Sequence, residues 1–447
     1  MGELVTVRRQ QMVVTVAVSL VGLAIAGGGI AEASPAAPGS PSTTRVSVSS
    51  SEDQVPTPSF DSAISVQGRY VVFTSAASRL VAGDSNHSRD VFVRDRSTGV
   101  TQRVSVSTGG AQGNNDSTQA AISADGRYVA FISAATNLIP TDTNHSLDVF
   151  VRDRVAKVTR RVSIASDGQA DNGDSRNPSI SADGRYVAFE SWAKHLVTGD
   201  TNGAYDVFVR DRTRNVTRRV SVGTGGSQAT GWSLNPAISA DGQHVAFESL
   251  ASDLVAGDHN GQADVFVRDR DTQETIRVSV SSSGVEGNRA SHQPDISADG
   301  QRVVFQSEAR NLIAGDTNAT SDVFVRDLVE GTTERVSVTN HGAQANNYSF
   351  QPAISADGSQ VVFFSDATNL IASDTNSTSD VFVRHLVDMT TRRVSVADGG
   401  GQANGYSFQP AISAHGRYVS FTSAASNLIA RDTNGDREVF VRDRGTG

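Results

Sequence analysis

The 447-residue chain has no cysteine, which excludes disulfides, thiolate metal sites and lipid attachment through sulfur. Lysine is nearly absent, standing only at positions 157 and 194, and the formal net charge is -9. Without a basic block to neutralise phosphates, nucleic acid and anionic membrane surfaces are poor partners. Also missing, from residue 42 onward, is any run in which apolar residues recur at helical spacing. The fold must rest on strands held by packing alone.

What the chain has is repetition. Asp-Val-Phe-Val-Arg begins at Asp90, Asp148, Asp206, Asp264, Asp322 and Asp380 and returns as Glu438-Val-Phe-Val-Arg, each 58 residues after the last. Arg-Val-Ser keeps the same period from Arg45 to Arg393. Self-similarity at a fixed period outranks any local motif as a guide to fold.

Within one copy, Gln351 to Val396, four short strands are expected: Pro352–Ser355, Gln360–Ser365, Asp380–Arg384 and Arg393–Val396. The first two flank Ala356-Asp357-Gly358, and the glycine recurs in all seven copies, as a tight turn with φ > 0 requires. In the third strand Phe382 and Arg384 share one face, Val381 and Val383 the other. Four antiparallel strands per unit and seven units in series define an all-β chain, a seven-bladed β-propeller. Residues 42–447 make seven units of 58, and the chain stops after the third strand of its last copy. The N-terminal strand at Arg45–Val48 is therefore expected to complete the last blade and close the ring, leaving no open edge. An open solenoid is the rival arrangement.

Antiparallel order places the long loops, between strands two and three and between blades, on one face. The period exceeds the roughly 40 to 50 residues of common propeller repeats, and the excess lies in those loops, as expected of a binding face. There, where other copies carry Asp116, Asp174, Ala290 or His292, the sequence places Trp232, Tyr348, Phe350, Tyr406 and Phe408. These aromatics are candidate ligand contacts, or they pack between neighbouring loops.

The same face carries a repeated Asp-x-Asn-x-x-x-Asp, as in Asp316, Asn318 and Asp322. Calcium takes about six to eight oxygens, so carbonyls and water would have to complete such a site. The last copy, with Asp432, Asn434, Asp436 and Glu438 at alternate positions, comes nearest to a Ca²⁺ loop. For the others the reading favoured is a turn capped by its own Asp and Asn. No catalytic constellation is visible, since the nine histidines fall mostly at unrelated repeat positions and nothing pairs them with a nucleophile.

Ahead of the repeats, Arg8 and Arg9 precede an apolar stretch from Met12 to Ile30 and Ala31-Glu32-Ala33. Residues 1–33 read as an export signal cleaved after Ala33, with a retained anchor as the alternative. A Pro/Ser spacer follows over residues 34–41, and the propeller occupies 42–447. "PAISADGRYVAF" followed by "DVFVRD" resembles the WD-like propeller repeat of TolB-type proteins, and the resemblance spans all seven copies. It implies the propeller fold and an extracytoplasmic location. TolB-type proteins also carry an α/β domain before six blades, which the repeat count here does not match. The expectation is a secreted or cell-surface, monomeric, non-enzymatic scaffold contacting a protein or glycan. Alternatives are a hydrolase or lyase at the central channel mouth and a Ca²⁺-stabilised structural protein.

Overall fold

The computed structural model describes residues 40–170 and 172–445. The expected signal segment and nearly all of the spacer lie outside the described residues. Those described form seven four-stranded antiparallel sheets. After the N-terminal strand β1 (Ser42–Arg45), the first blade comprises β2 (Ser59–Ile64), β3 (Tyr70–Ser75), β4 (Asp90–Asp95) and β5 (Val100–Arg103), hydrogen-bonded in that order from the channel outward. The unit recurs to the last blade, whose outermost strand is β1, paired Ser42 to Asp443 and Arg45 to Phe440. The ring is closed by the N-terminal strand, as expected.

Alternation along the third strand makes the blades stack. In the sixth blade Phe382 packs with Phe363 onto Val323 and Val325 of the fifth, whereas Val381 and Val383 face Phe421 and Phe440 of the seventh. The same layer joins last blade to first, with Phe73 and Phe92 against Val439 and Val441. Each phenylalanine pair is stacked at 5.7–6.0 Å, from Phe73–Phe92 to Phe421–Phe440.

Two strand boundaries differ from expectation. Like β1, which is Ser42–Arg45 rather than Arg45–Val48, the outermost strand of the sixth blade is Thr390–Arg393 rather than Arg393–Val396. It ends there because Ser395 takes over the ladder: its hydroxyl accepts the Val381 N–H at 3.2 Å and donates to Asp380 at 2.5 Å, while Val394 turns into the core. The innermost strand starts earlier, at Ser349, and its register shifts between Phe350 and Ala353. Pro352 is tolerated because this strand is the edge that faces the channel.

The Asp-Gly hairpins gird the narrow end of the channel. Backbone bonds run from blade to blade: Val66 N to Ala124 O, Ala124 N to Ala182 O, and onward to Ala414 N and Val66 O, with Asp357 as donor at one step. These seven bonds, 2.9–3.3 Å long, form a closed girdle. The turn glycine is required twice over: at Gly126 φ is +75°, and a Cβ would lie 2.1 Å from the Tyr70 ring of the neighbouring blade.

Candidate binding site at the channel mouth

The register shift in each innermost strand aims one side chain at the axis. The shifted residues are Asp61, Gln119, Asn177, Asn235, Gln293, Gln351 and Gln409, all at φ between +46° and +53° without being glycine. Bulges serve to re-aim side chains, and a non-glycine residue at positive φ persists only where the surroundings hold it. Here the surroundings are the belt itself. Asn177 donates to Asn235 Oδ1 at 2.9 Å, Gln119 Oε1 accepts the Asn177 N–H at 3.2 Å, and Gln409 bonds Asp61. The result is a ring of planar amides with one carboxyl, Asp61, which burial pushes upward. The belt lines a chamber of about 540 Å³. Below it the channel narrows to about 170 Å³ between Ile64, Ile122, Ile180 and their equivalents. A single carboxyl, Asp295, faces this apolar neck and is pushed up to about 6 by burial, although its oxygens accept the N–H groups of Ile354 and Ile296 at 2.8 and 2.9 Å.

Above the belt the mouth has two unlike sides. On the sixth, seventh and first blades it is aromatic. Tyr348 stacks on Phe350 at 5.4 Å and Phe350 meets Phe364 at 5.4 Å. Tyr406 stacks on Phe408 at 5.6 Å, under the Arg437 guanidinium. Arg89 lies over Phe60. On the third to fifth blades it is charged. Arg176 pairs with Asp174 at 2.8 Å, and Glu190 and Glu248 accept the N–H groups of Asn235 and Gln293 at 2.7 and 2.8 Å. The two glutamates occupy one repeat position yet shift in opposite directions. Burial raises both; at Glu248 the hydrogen bond and charge of His292, 3.6 Å away, outweigh it, and His292 is raised in turn.

A third aromatic group caps the charged side. Trp192, Tyr205 and Trp232 meet at 5.3, 6.1 and 6.4 Å between centroids with steep interplanar angles. Rings this close touch one another, so they leave no cage for a cation and turn their outer surfaces to solvent.

Of the five aromatics singled out in the sequence, Tyr348 and Tyr406 pack on Phe350 and Phe408, and Trp232 joins the other blade's pair. Phe350 and Phe408 lie on innermost strands rather than in the between-blade loops. Packing does not hide them all: Trp232, Tyr348 and Tyr406 remain 46%, 44% and 38% exposed, and Trp192, a single-copy residue of the third repeat, 45%. The belt, Glu190, Glu248 and Asp295 were missed. Polar planar residues at one repeat position, 58 apart, were the available signal.

The Asp/Asn loops do bring their carboxylates together, around an arginine. Arg335 Nη1 lies 3.6 Å from Asp316 and 3.1 Å from Asp322. Gln344 donates to both, at 2.8 and 2.9 Å, Ser337 to Asp322 at 2.6 Å, and Asn318 to Asp322 at 3.3 Å. In the last copy Arg45 meets Glu438 at 2.8 Å and Asp432 at 3.6 Å, Gln54 bridges both, and Asn434 donates to Glu438 at 3.1 Å. Asp436 contributes a backbone N–H to Asn434. The arginine of Arg-Val-Ser thus stands among oxygens already supplied with donors, and Asn318 Oδ1 accepts the Thr320 N–H at 3.1 Å, the capped turn that the sequence favoured for all but the last copy.

These observations define a seven-bladed β-propeller with an amphipathic mouth on its long-loop face. No family model matches the chain, and no curated protein matches it. Among solved structures it is similar to an oligogalacturonate lyase from Vibrio parahaemolyticus, with 13% identity and TM-score 0.54 over 91% of this chain and 98% of that one. It is also similar to the β-propeller domain of the Trilobed protease from Pyrococcus furiosus, with 10% identity and TM-score 0.51 over 87% and 93%. TolB from Acinetobacter baumannii aligns at 12% identity over 85% and 81% with TM-score 0.39. These likenesses concern the fold alone, and the last adds nothing to what the sheet order establishes.

Proposed function

We propose that the protein is an exported, non-enzymatic binding or scaffold module that meets its ligand through the long-loop face. The observation that carries this reading is the set of exposed aromatic surfaces, Trp192, Trp232, Tyr348 and Tyr406, all in the long loops of one face. Isolated exposed apolar residues need no explanation; four large ones in the loops of one face do. The export signal read in residues 1–33 supports an extracytoplasmic setting. The test is retention of labelled protein on the envelope fraction of the producing cells. Trp232→Ser with Tyr348→Ser and Tyr406→Ser should abolish retention, whereas Val155→Ser with Val387→Ser, at exposed hairpins of the opposite face, should not. Equal loss in both variants would refute the assignment of the face.

A second reading, a hydrolase or lyase, draws on the convergence of Glu248 and His292 from different blades. Against it, Glu190 and Gln306, at the position of Glu248, make the same bond to the next blade's backbone. The glutamate therefore has a structural task that recurs without histidine. Loss of polysaccharide cleavage in His292→Gln, with binding intact, would favour the enzyme.

A further inference from the structure

Resting on that reading of the long-loop face, we infer that the ligand is a neutral oligosaccharide, its rings lying on the exposed aromatics and its hydroxyls meeting the carboxylate and amide groups beneath. A pyranose has an apolar C–H face and an edge of hydroxyls that both donate and accept. The mouth presents the complement of both. Flat rings stand two blades apart around it, at Trp232 and at Tyr348. Below them lie the planar groups of the amide belt with two polar atoms each, held from behind where buried Glu190 and Glu248 accept the belt's N–H groups. Every belt side chain is an amide or a carboxyl, the kind that can hold two adjacent hydroxyls at once.

Size and charge narrow the class. A chamber of about 540 Å³ lies within the roughly 300–1,000 Å³ of small-molecule sites, which admits a slender chain of sugar rings and not a folded partner. Asp61 is the one carboxyl among the residues lining the chamber, and the cations of the mouth above it are engaged: Arg176 with Asp174, His292 with Glu248 and Arg437 with the Tyr406 hydroxyl, while Arg89 lies over Phe60. A polyanionic sugar chain would give up its hydration for amides and a carboxyl, with the nearby cations already engaged, so a uronate polymer is disfavoured.

The molecule supplies its own reporter, because its only two tryptophans, Trp192 and Trp232, both sit at the mouth. The experiment is a titration of tryptophan emission with cellohexaose, maltohexaose, mannohexaose and chitohexaose, and with hexagalacturonate as the polyanionic arm. At least one neutral hexaose should give a saturable change that hexagalacturonate does not. Tyr348→Ala, two blades from Trp232, should weaken it ~10-fold or more, as loss of an aromatic anchor does, with an unchanged melt showing that the ring is intact. Gln351→Ala, in the belt that lines the chamber, should also weaken it. If no neutral hexaose saturates by about 10 mM, below the weakest affinities worth calling a site, or if hexagalacturonate binds better, the inference is overturned. The long-loop face would then still be judged by envelope retention, and a peptide ligand would take the sugar's place.

Discussion

Replacing Asp295 with asparagine should stabilise the protein in alkali and not in acid. Asp295 stands in the apolar neck of the channel, at a repeat position held elsewhere by Ala63, Ala121, Ser179, Ala237, Ala353 and Ala411. Its carboxyl is pushed up to about 6 from an ordinary 3.8, first by burial, against the pull of two backbone N–H groups. A proton is thus bound more tightly in the folded than in the unfolded chain. Stability from this group is full below the unfolded value near 3.8 and is lost as pH rises through about 6. Each pK unit is worth about 1.4 kcal/mol, so the anion costs about 3 kcal/mol at pH 8. Asparagine keeps one acceptor, for Ile354, and forfeits the bond from Ile296, a loss of about 1 kcal/mol. The net gain is about 2 kcal/mol at pH 8.

The assay is calorimetric melting of both proteins at pH 8 and at pH 3.5. The variant should melt a few degrees higher at pH 8, and the advantage should vanish or reverse at pH 3.5. An equal gain at both values would show that the carboxylate charge is not the cause. A loss at pH 8 would refute the reasoning outright and mean that the anion has a partner in the channel.

Deleting Ser42–Val48 removes the outermost strand of the last blade together with buried Val46 and Val48, each worth about 2 kcal/mol, and should lower the melting midpoint sharply and expose a sheet edge; an unchanged melt would refute closure by this strand. Arg335→Ala leaves Asp316 and Asp322 facing each other, at a cost of about 3–5 kcal/mol, and excess Ca²⁺ should restore part of it, while chelator and Ca²⁺ leave the melt of the unaltered protein where it is. A large Ca²⁺ shift in the unaltered protein would make the loops metal sites after all.

What could be read from the sequence, and what could not, divides along the direction in which side chains point. Strand period, hairpin glycine and repeat length are local or translational signals, so the blades, the face that carries the long loops and the closing strand could all be derived from residues such as Gly358, Phe382 and Arg45. The channel is different, because its lining depends on a bulge. A regular strand through Phe350 to Ile354 would put Gln351 and Ala353 on one face, but the shift at Gln351 breaks that alternation, and period-two reasoning cannot say which residue faces the axis. The arginine among the acidic loops escaped for another reason. Asp316 and Asp322 are near in sequence, whereas Arg335 reaches them by sheet pairing, lying opposite Phe324, two residues beyond Asp322. A reading of linear spacing finds the anions and misses the cation that folding places between them. Wherever a repeated acidic motif precedes a strand whose sheet partner bears an invariant-by-repeat arginine, the ion pair should be weighed before the metal.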